Sequence, residues 1–207
     1  MEHRLPELQS LIKQAGVPEP DGFPIPAILA AIARAESKGD PNAWVAHDPP
    51  SNPRAAPSSG LYQIHRPFWP EAYEQTELVR TNPSMRDREK IVEMTRLAKP
   101  VLIDALETAA RASRILASRG FRVTPLQSAL FMNATWQAGA DNVIEWAKAT
   151  RTGDARMIVN PSRAVDVEVS LRQLAAGAIG VAPGAGLLLG VTLAFGLAAL
   201  LVAAWDA

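Results

Sequence analysis

Charge is confined to one part of this chain. No Asp, Glu, Lys or Arg occurs from Gln173 to Trp205, a run of 33 residues, and Asp206 is the only charged side chain beyond Arg172. A membrane-spanning helix needs about 20 consecutive apolar residues. The stretch from Gly184 to Trp205 meets that by itself, through Leu187, Leu188, Leu189, Val191, Leu193, Phe195, Leu197, Leu200, Leu201 and Val202. Trp205 closes it where an interfacial aromatic belongs, and Gly186, Gly190 and Gly196 are tolerated better in membrane helices than in soluble ones. Gly186 and Gly190 also form a GxxxG, a close-packing face of low specificity. The alternative for the run is a helix buried in a protein core. Residues 174–183 read as a shorter apolar helix ending at Pro183, and a re-entrant hairpin is open.

The first 172 residues are a different material. The 21 basic and 21 acidic side chains balance overall, which argues against a dedicated nucleic-acid binder. Absence of cysteine excludes disulfides and thiolate metal sites. The three histidines show no metal-ligand spacing, so neither a metal nor another cofactor is expected. Residues 1–11 contain no apolar h-region, so no secretory signal is expected there.

The hydrophobic pattern is helical. Leu5, Leu8, Leu11 and Ile12 predict a first helix ending near Gly16. Pro26 opens a second over Ala27–Ser37, ended by Gly39-Asp40-Pro41. Residues 47–59 carry so many Pro and Ser that an exposed loop is expected. A short helix follows Pro67 to about Leu78, and Ser84 is the expected cap of a long stretch to about Arg119, kinked or divided at Pro100. Thr124-Pro125-Leu126-Gln127 is a capping-box start for a helix to Gly139. Another spans Asp141 to about Thr150, and Asn160-Pro161 starts a last one. The expected fold class is mostly α, with an N-terminal helix and linker (1–21), a helical domain (22–150), a connecting helix (151–172) and the apolar membrane segment (173–207).

One segment carries chemistry. In Ala27–Ala43, AILAAIARAESKGDPNA, Glu36 ends a helix whose only earlier charge is Arg34. The dipole at a helix C-terminus disfavours negative charge, and partial burial does so too. Both push a carboxyl towards the neutral form that a general acid requires. The bland reading is a surface Glu in a last helical turn.

Residues 36–43, ESKGDPNA, resemble the ESGGDPNA signature of the soluble lytic transglycosylase (goose-type-lysozyme-like) family. Residues 59–64, SGLYQI, look like that family's S-x-G-L-M/F-Q-I element, and residues 134–139, ATWQAG, are placed like its Y-N-A-G turn. The resemblance covers residues 22–150. It implies a lysozyme-like helical domain, followed here by the C-terminal transmembrane helix. It also implies cleavage of the β-1,4 bond between N-acetylmuramic acid and N-acetylglucosamine in peptidoglycan. Glu36 would be the single catalytic acid and base. It would protonate the leaving oxygen and then take the proton of the muramyl 6-hydroxyl, giving a 1,6-anhydro product.

Ser37, Tyr62, Gln63, Trp136 and Gln137 take substrate-binding roles by position. Ser37 is open between substrate contact and helix end, and Tyr62 between groove and core. Trp136 and Gln137 stand where the family has Tyr-Asn. An indole N–H is only a donor, so Trp136 is open between donating to Glu36, stacking on a sugar, and core packing. Asp48 is the one plausible second carboxylate, and a hydrolase would need it across a water from Glu36. The aromatics Trp44, Phe68, Trp69 and Tyr73 receive no individual role.

The expected partners are peptidoglycan glycan strands, a lipid bilayer through residues 184–205, and other virion or envelope-spanning complex proteins. Arg163 and Arg172 precede the apolar run, which by the positive-inside tendency would leave the domain in the cytoplasm. A virion-associated or envelope location, with the domain reaching the periplasm, resolves that conflict. The competing expectations are a catalytically degenerate lysozyme-like scaffold and a holin-like pore former resting on the glycine-rich tail.

Overall fold

The computed structural model describes residues 4–17, 24–47 and 56–179. They form eight helices: α1 (Leu5–Gln14), α2 (Ile25–Ser37), α3 (Pro70–Arg80), α4 (Asp87–Leu97), α5 (Lys99–Ser118), α6 (Pro125–Ala138), α7 (Ala140–Ala149) and α8 (Pro161–Ile179). The fold is mostly helical. Three two-residue strands, β1 (Trp44–Val45), β2 (Ser58–Ser59) and β3 (Ile64–His65), form an antiparallel sheet in that order.

α2 is the central element. Ile25 to Ala33 are buried without interruption. A helix apolar all round has no solvent face and is enclosed by its neighbours. Here α1 and α8 pack along it. Its many alanines let those neighbours approach closely. Ile28, Leu29 and Ile32 supply the bulk, inside a core shared with Leu8, Ile12, Leu61, Phe131, Trp136 and Val167.

Helix ends follow local chemistry. At α6 the Thr124 hydroxyl accepts from Gln127 N at 3.3 Å, and Gln127 Oε1 accepts from Thr124 N at 2.8 Å. This is the reciprocal cap expected from the sequence. Asn160 Oδ1 accepts from Ser162 N at 3.1 Å at the start of α8. The helix is interrupted at Ala98, two residues before Pro100, dividing α4 from α5. Ser84 is not the cap of α4: Ser84 N instead donates to Asn82 Oδ1, and Glu89 Oε2 accepts from Arg86 N at 2.8 Å. The helix therefore starts at Asp87. The loop expected over 47–59 is exposed neither at Ser58 nor at Ser59, which are fully buried in β2. Residues 48–55, with Asp48, lie outside the described residues.

The connecting helix expected over 151–172 is α8, which begins at Pro161 and runs on to Ile179. No helix among the described residues is long and apolar enough to cross a membrane. The expected span, residues 184–205, lies outside them.

The small sheet is tied to α3 by an ionic cluster. The Ser59 hydroxyl donates to Glu77. Arg80 binds the same carboxylate through Nε at 2.6 Å and through its terminal nitrogen at 2.8 Å. The Arg80 hydrogen bond holds the Glu77 carboxyl below its ordinary value, against the opposing effect of burial. A carboxyl lowered in the folded state contributes stability above its unfolded value and loses it as pH falls through the folded one. Glu77→Gln is therefore expected to melt lower than wild type at pH 7. The gap should shrink as pH drops below about 5, which thermal denaturation monitored by circular dichroism across pH 3–7 would show. A constant gap over that range would remove Glu77 from the acid response.

Candidate active site

Glu36 is the penultimate residue of α2. Its side chain is 2% exposed and ion-paired through Oε2 to Arg163 of α8 at 2.7 Å. Oε1 accepts from Asn133 Nδ2 at 2.7 Å and from Gln137 Nε2 at 3.0 Å. Asn133 and Gln137 lie one turn apart on α6, so they share a face. Gln137 Nε2 also donates to Asn133 Oδ1 at 3.0 Å, which orients both amides. Gln137 Oε1 accepts from Asn160 N at 3.4 Å, linking the site to the start of α8.

The electrostatics are mixed. Burial penalises the charged form of Glu36, while two amide donors and a guanidinium favour it. From the order of residues only the influences against charge are visible, burial and the helix dipole. A buried carboxylate requires such pairing, and this one has it.

The two sequence elements that follow Glu36 hold each other in place. Lys38 adopts φ +59° in the left-handed region at the C-cap of α2, the place of a glycine in the resembling signature. Its side chain pairs with Asp166 of α8. Asn42 N donates to Asp40 Oδ1 at 2.9 Å, an Asx turn. Asn42 Nδ2 donates to Asp87 Oδ1 at 2.9 Å, and Asn42 Oδ1 accepts from the buried Lys90 at 2.8 Å. That fastens the turn to α4. Gly60 N donates to Ala43 O at 2.8 Å. Ser37 Oγ lies 2.7 Å from Leu61 O and 3.0 Å from Ala33 O, sharing its one proton between them.

Ser37 is thus placed as a brace between α2 and the segment after β2. Ser37→Ala leaves the buried Leu61 carbonyl short of a donor. A loss of about 1–2 kcal/mol is expected, measured as a lower urea midpoint at unchanged slope. An unchanged midpoint would mean the contact carries no net energy.

Not every residue assigned from sequence reaches Glu36. Gln137 does. Tyr62 lies in the core: its hydroxyl pairs with Thr95 Oγ1 at 2.9 Å, and its ring is 5.8 Å from that of Trp136. Burial pushes the Tyr62 phenol well up, and the Thr95 hydrogen bond only partly offsets it. Trp136 is equally internal, and its indole Nε1 is buried with no hydrogen-bond partner among the described residues. Of the roles left open from sequence for Tyr62 and Trp136, core packing is where both side chains lie. Gln63, at φ +49°, folds its side-chain amide back onto Gly60 O at 3.0 Å and is buried. Its amide completes a turn in this conformation.

Sequence reasoning missed Asn133 and Arg163. Asn133 had a signal: a lone amide inside the apolar run Leu130–Ala134, one helical turn before Gln137. Arg163 had none. Among the aromatics left unassigned, Trp44 and Phe68 are about half exposed. Phe68 lies against the α6–α7 turn, its ring 3.8 Å from where a Cβ on Gly139 would stand.

No family model matches the chain, and no curated protein and no solved structure matches it.

Proposed function

We propose that the protein is a peptidoglycan lytic transglycosylase in which Glu36 is the single general acid and base. The observation that carries this reading is the dry, oriented carboxyl at the C-terminus of α2, held on one oxygen by Asn133 and Gln137. General acid–base catalysis needs a positioned group whose charge state the protein controls. The lysozyme acid is the worked example of that principle, and here it enters as an analogy. The resemblance of residues 36–43 and 59–64 supports the same assignment, and the bracing of those two segments against each other supports it further.

The chemistry balances with one carboxyl. Protonated Glu36 gives its proton to the bridging oxygen as the muramyl C1–O bond breaks. The carboxylate then takes the proton of the muramyl 6-hydroxyl while that oxygen bonds to C1. Glu36 ends protonated, the glycan ends in a 1,6-anhydro ring, and no water is consumed. The fold is read as lysozyme-like, with residues 184–205 as a membrane anchor. A protein of this kind belongs in a virion that opens the wall locally during genome entry, with lipid and other envelope-spanning proteins as partners.

A second reading is favoured by the packing of Tyr62, Gln63 and Trp136 and by the pairing of Glu36 with Arg163. In it the domain is a non-catalytic scaffold and the buried ion pair fastens α2 to α8. Mass analysis of muropeptides released from purified sacculi separates the readings. Anhydro ends support transglycosylation, reducing ends point to a hydrolase, and no release at any pH from 4 to 8 supports the scaffold.

A further inference from the structure

Two ion pairs join α8 to the end of α2, and they differ in kind. Lys38–Asp166 is exposed on both sides, so it is worth little. Arg163–Glu36 joins a side chain 26% exposed to one 2% exposed. The oxygens of Glu36 are also unlike. Oε1 accepts two amide donors that α6 presents from one face, and a proton cannot sit on an oxygen so engaged without displacing one of them. Oε2 faces the Arg163 guanidinium. A carboxyl that must deliver a proton therefore has one usable oxygen, and the cation occupies it.

Among the described residues, the Arg163 guanidinium stands 2.7 Å from Glu36 Oε2, and the other charged groups nearby have contacts of their own. α6 carries no titratable side chain. On α2 itself, Arg34 reaches towards the Lys38 carbonyl, and Lys38 is turned to Asp166. On β3, His65 Nδ1 is 3.1 Å from Ser58 Oγ. The backbone of α8 is held by the buried Ala164, Val167 and Leu171. Arg163 can therefore leave Oε2 by a swing of its partly exposed side chain, with no movement of the helix. Arginine has five donors in a planar fork suited to carboxylates, so a second carboxylate can compete with the first for it.

We propose that Arg163 is a displaceable counter-ion of Glu36, holding the carboxyl ionised at rest and leaving it for a carboxylate of the bound glycan, so that Glu36 takes up its proton only once an acidic substrate is seated. The proton comes from solvent and binds Oε2. The carboxylates are those of the muramyl peptide stem, which neutral chitin oligomers lack. This rests on the reading of Glu36 as the proton donor. Arg163 acts through Glu36, as a positioning residue that selects for acidic glycans.

The test is a carboxyl-carbon NMR titration of the full chain, with the Glu36 signal assigned by its loss in Glu36→Gln. Wild type, Arg163→Gln and Arg163→Lys are titrated alone, with chitotriose, and with a peptide-bearing disaccharide fragment of peptidoglycan. Without ligand, the Glu36 midpoint is expected about one pH unit or more higher in Arg163→Gln, the ordinary reach of an adjacent opposite charge. Arg163→Lys should restore most of the difference. The peptide-bearing fragment should raise the midpoint in wild type and leave Arg163→Gln unmoved, while chitotriose moves neither. Equal midpoints in wild type and Arg163→Gln, or equal effects of the two ligands, would overturn the proposal. Turnover of sacculi separates it from the reading beneath it. A wild type inert at every pH, with midpoints that still move, removes the activity and keeps the counter-ion. A robustly active wild type whose pH limb Arg163→Gln leaves in place removes the counter-ion alone.

Discussion

Glu36→Gln is expected to abolish release of muropeptides from sacculi, with a fall of about 100- to 10,000-fold in turnover, the usual contribution of a positioned acid–base group. The substitution is conservative in shape. A glutamine at 36 still accepts from Asn133 and Gln137 on one oxygen. Its amide nitrogen faces the Arg163 guanidinium, which, being 26% exposed, can turn to water. The fold is thus expected to persist, and the circular dichroism spectrum and melting curve of the variant serve as the control. Loss of activity with an intact melt supports proton transfer by Glu36. Equal turnover in the variant and the wild type would leave Glu36 a structural residue and give the domain to the scaffold reading.

Gly60→Ala is expected to be the most destabilising single-methyl change in the segment that braces Glu36. The backbone at Gly60 has φ +73°, and an added Cβ would stand 2.5 Å from Thr76 Cγ2 and 3.1 Å from Met94 Sδ. Left-handed backbone costs an L-residue roughly 1–2 kcal/mol, and overpacking a close-packed interior costs about 1–3 more. A total near 3 kcal/mol is expected, read as a fall in the urea midpoint. Thr76 sits on α3 and is β-branched, so its methyl has little freedom to turn aside. The double variant Gly60→Ala/Thr76→Ser removes that methyl and should recover the steric part but not the conformational part. No recovery would show that the backbone conformation, and not the contact, sets the cost. Because Gly60 N donates to Ala43 O, the same variant is expected to loosen the turn after Glu36 and reduce turnover with it.

The helices were largely legible in the sequence, for a physical reason. Thr124, Pro125 and Gln127 form a cap whose bonds close within four residues, so the pattern states its own geometry. Pro100 divides α4 from α5 through its own ring and missing N–H. One failure was local: Ser84 is a good capping residue in isolation, but Asn82 two positions earlier captures its backbone N–H and α4 starts only at Asp87. The other came where the deciding contact is remote. Ser58 and Ser59 look like loop residues, yet β-pairing with Trp44, Val45, Ile64 and His65 buries them.

The order of residues alone determined that a carboxyl ends an apolar helix, that a Gly39-Asp40-Pro41 turn follows it, and that no charge lies between Arg172 and Asp206. Each depends on neighbours a few positions apart. Which groups surround that carboxyl was decided only when α6 and α8 packed beside α2, bringing Asn133 from 97 residues away and Arg163 from farther still. Crossing helices set those meetings, and a helix's own periodicity holds no record of what will face it. The same packing drew Tyr62 and Trp136 inward, because an aromatic ring gains more from a dry interior than a local motif can reveal.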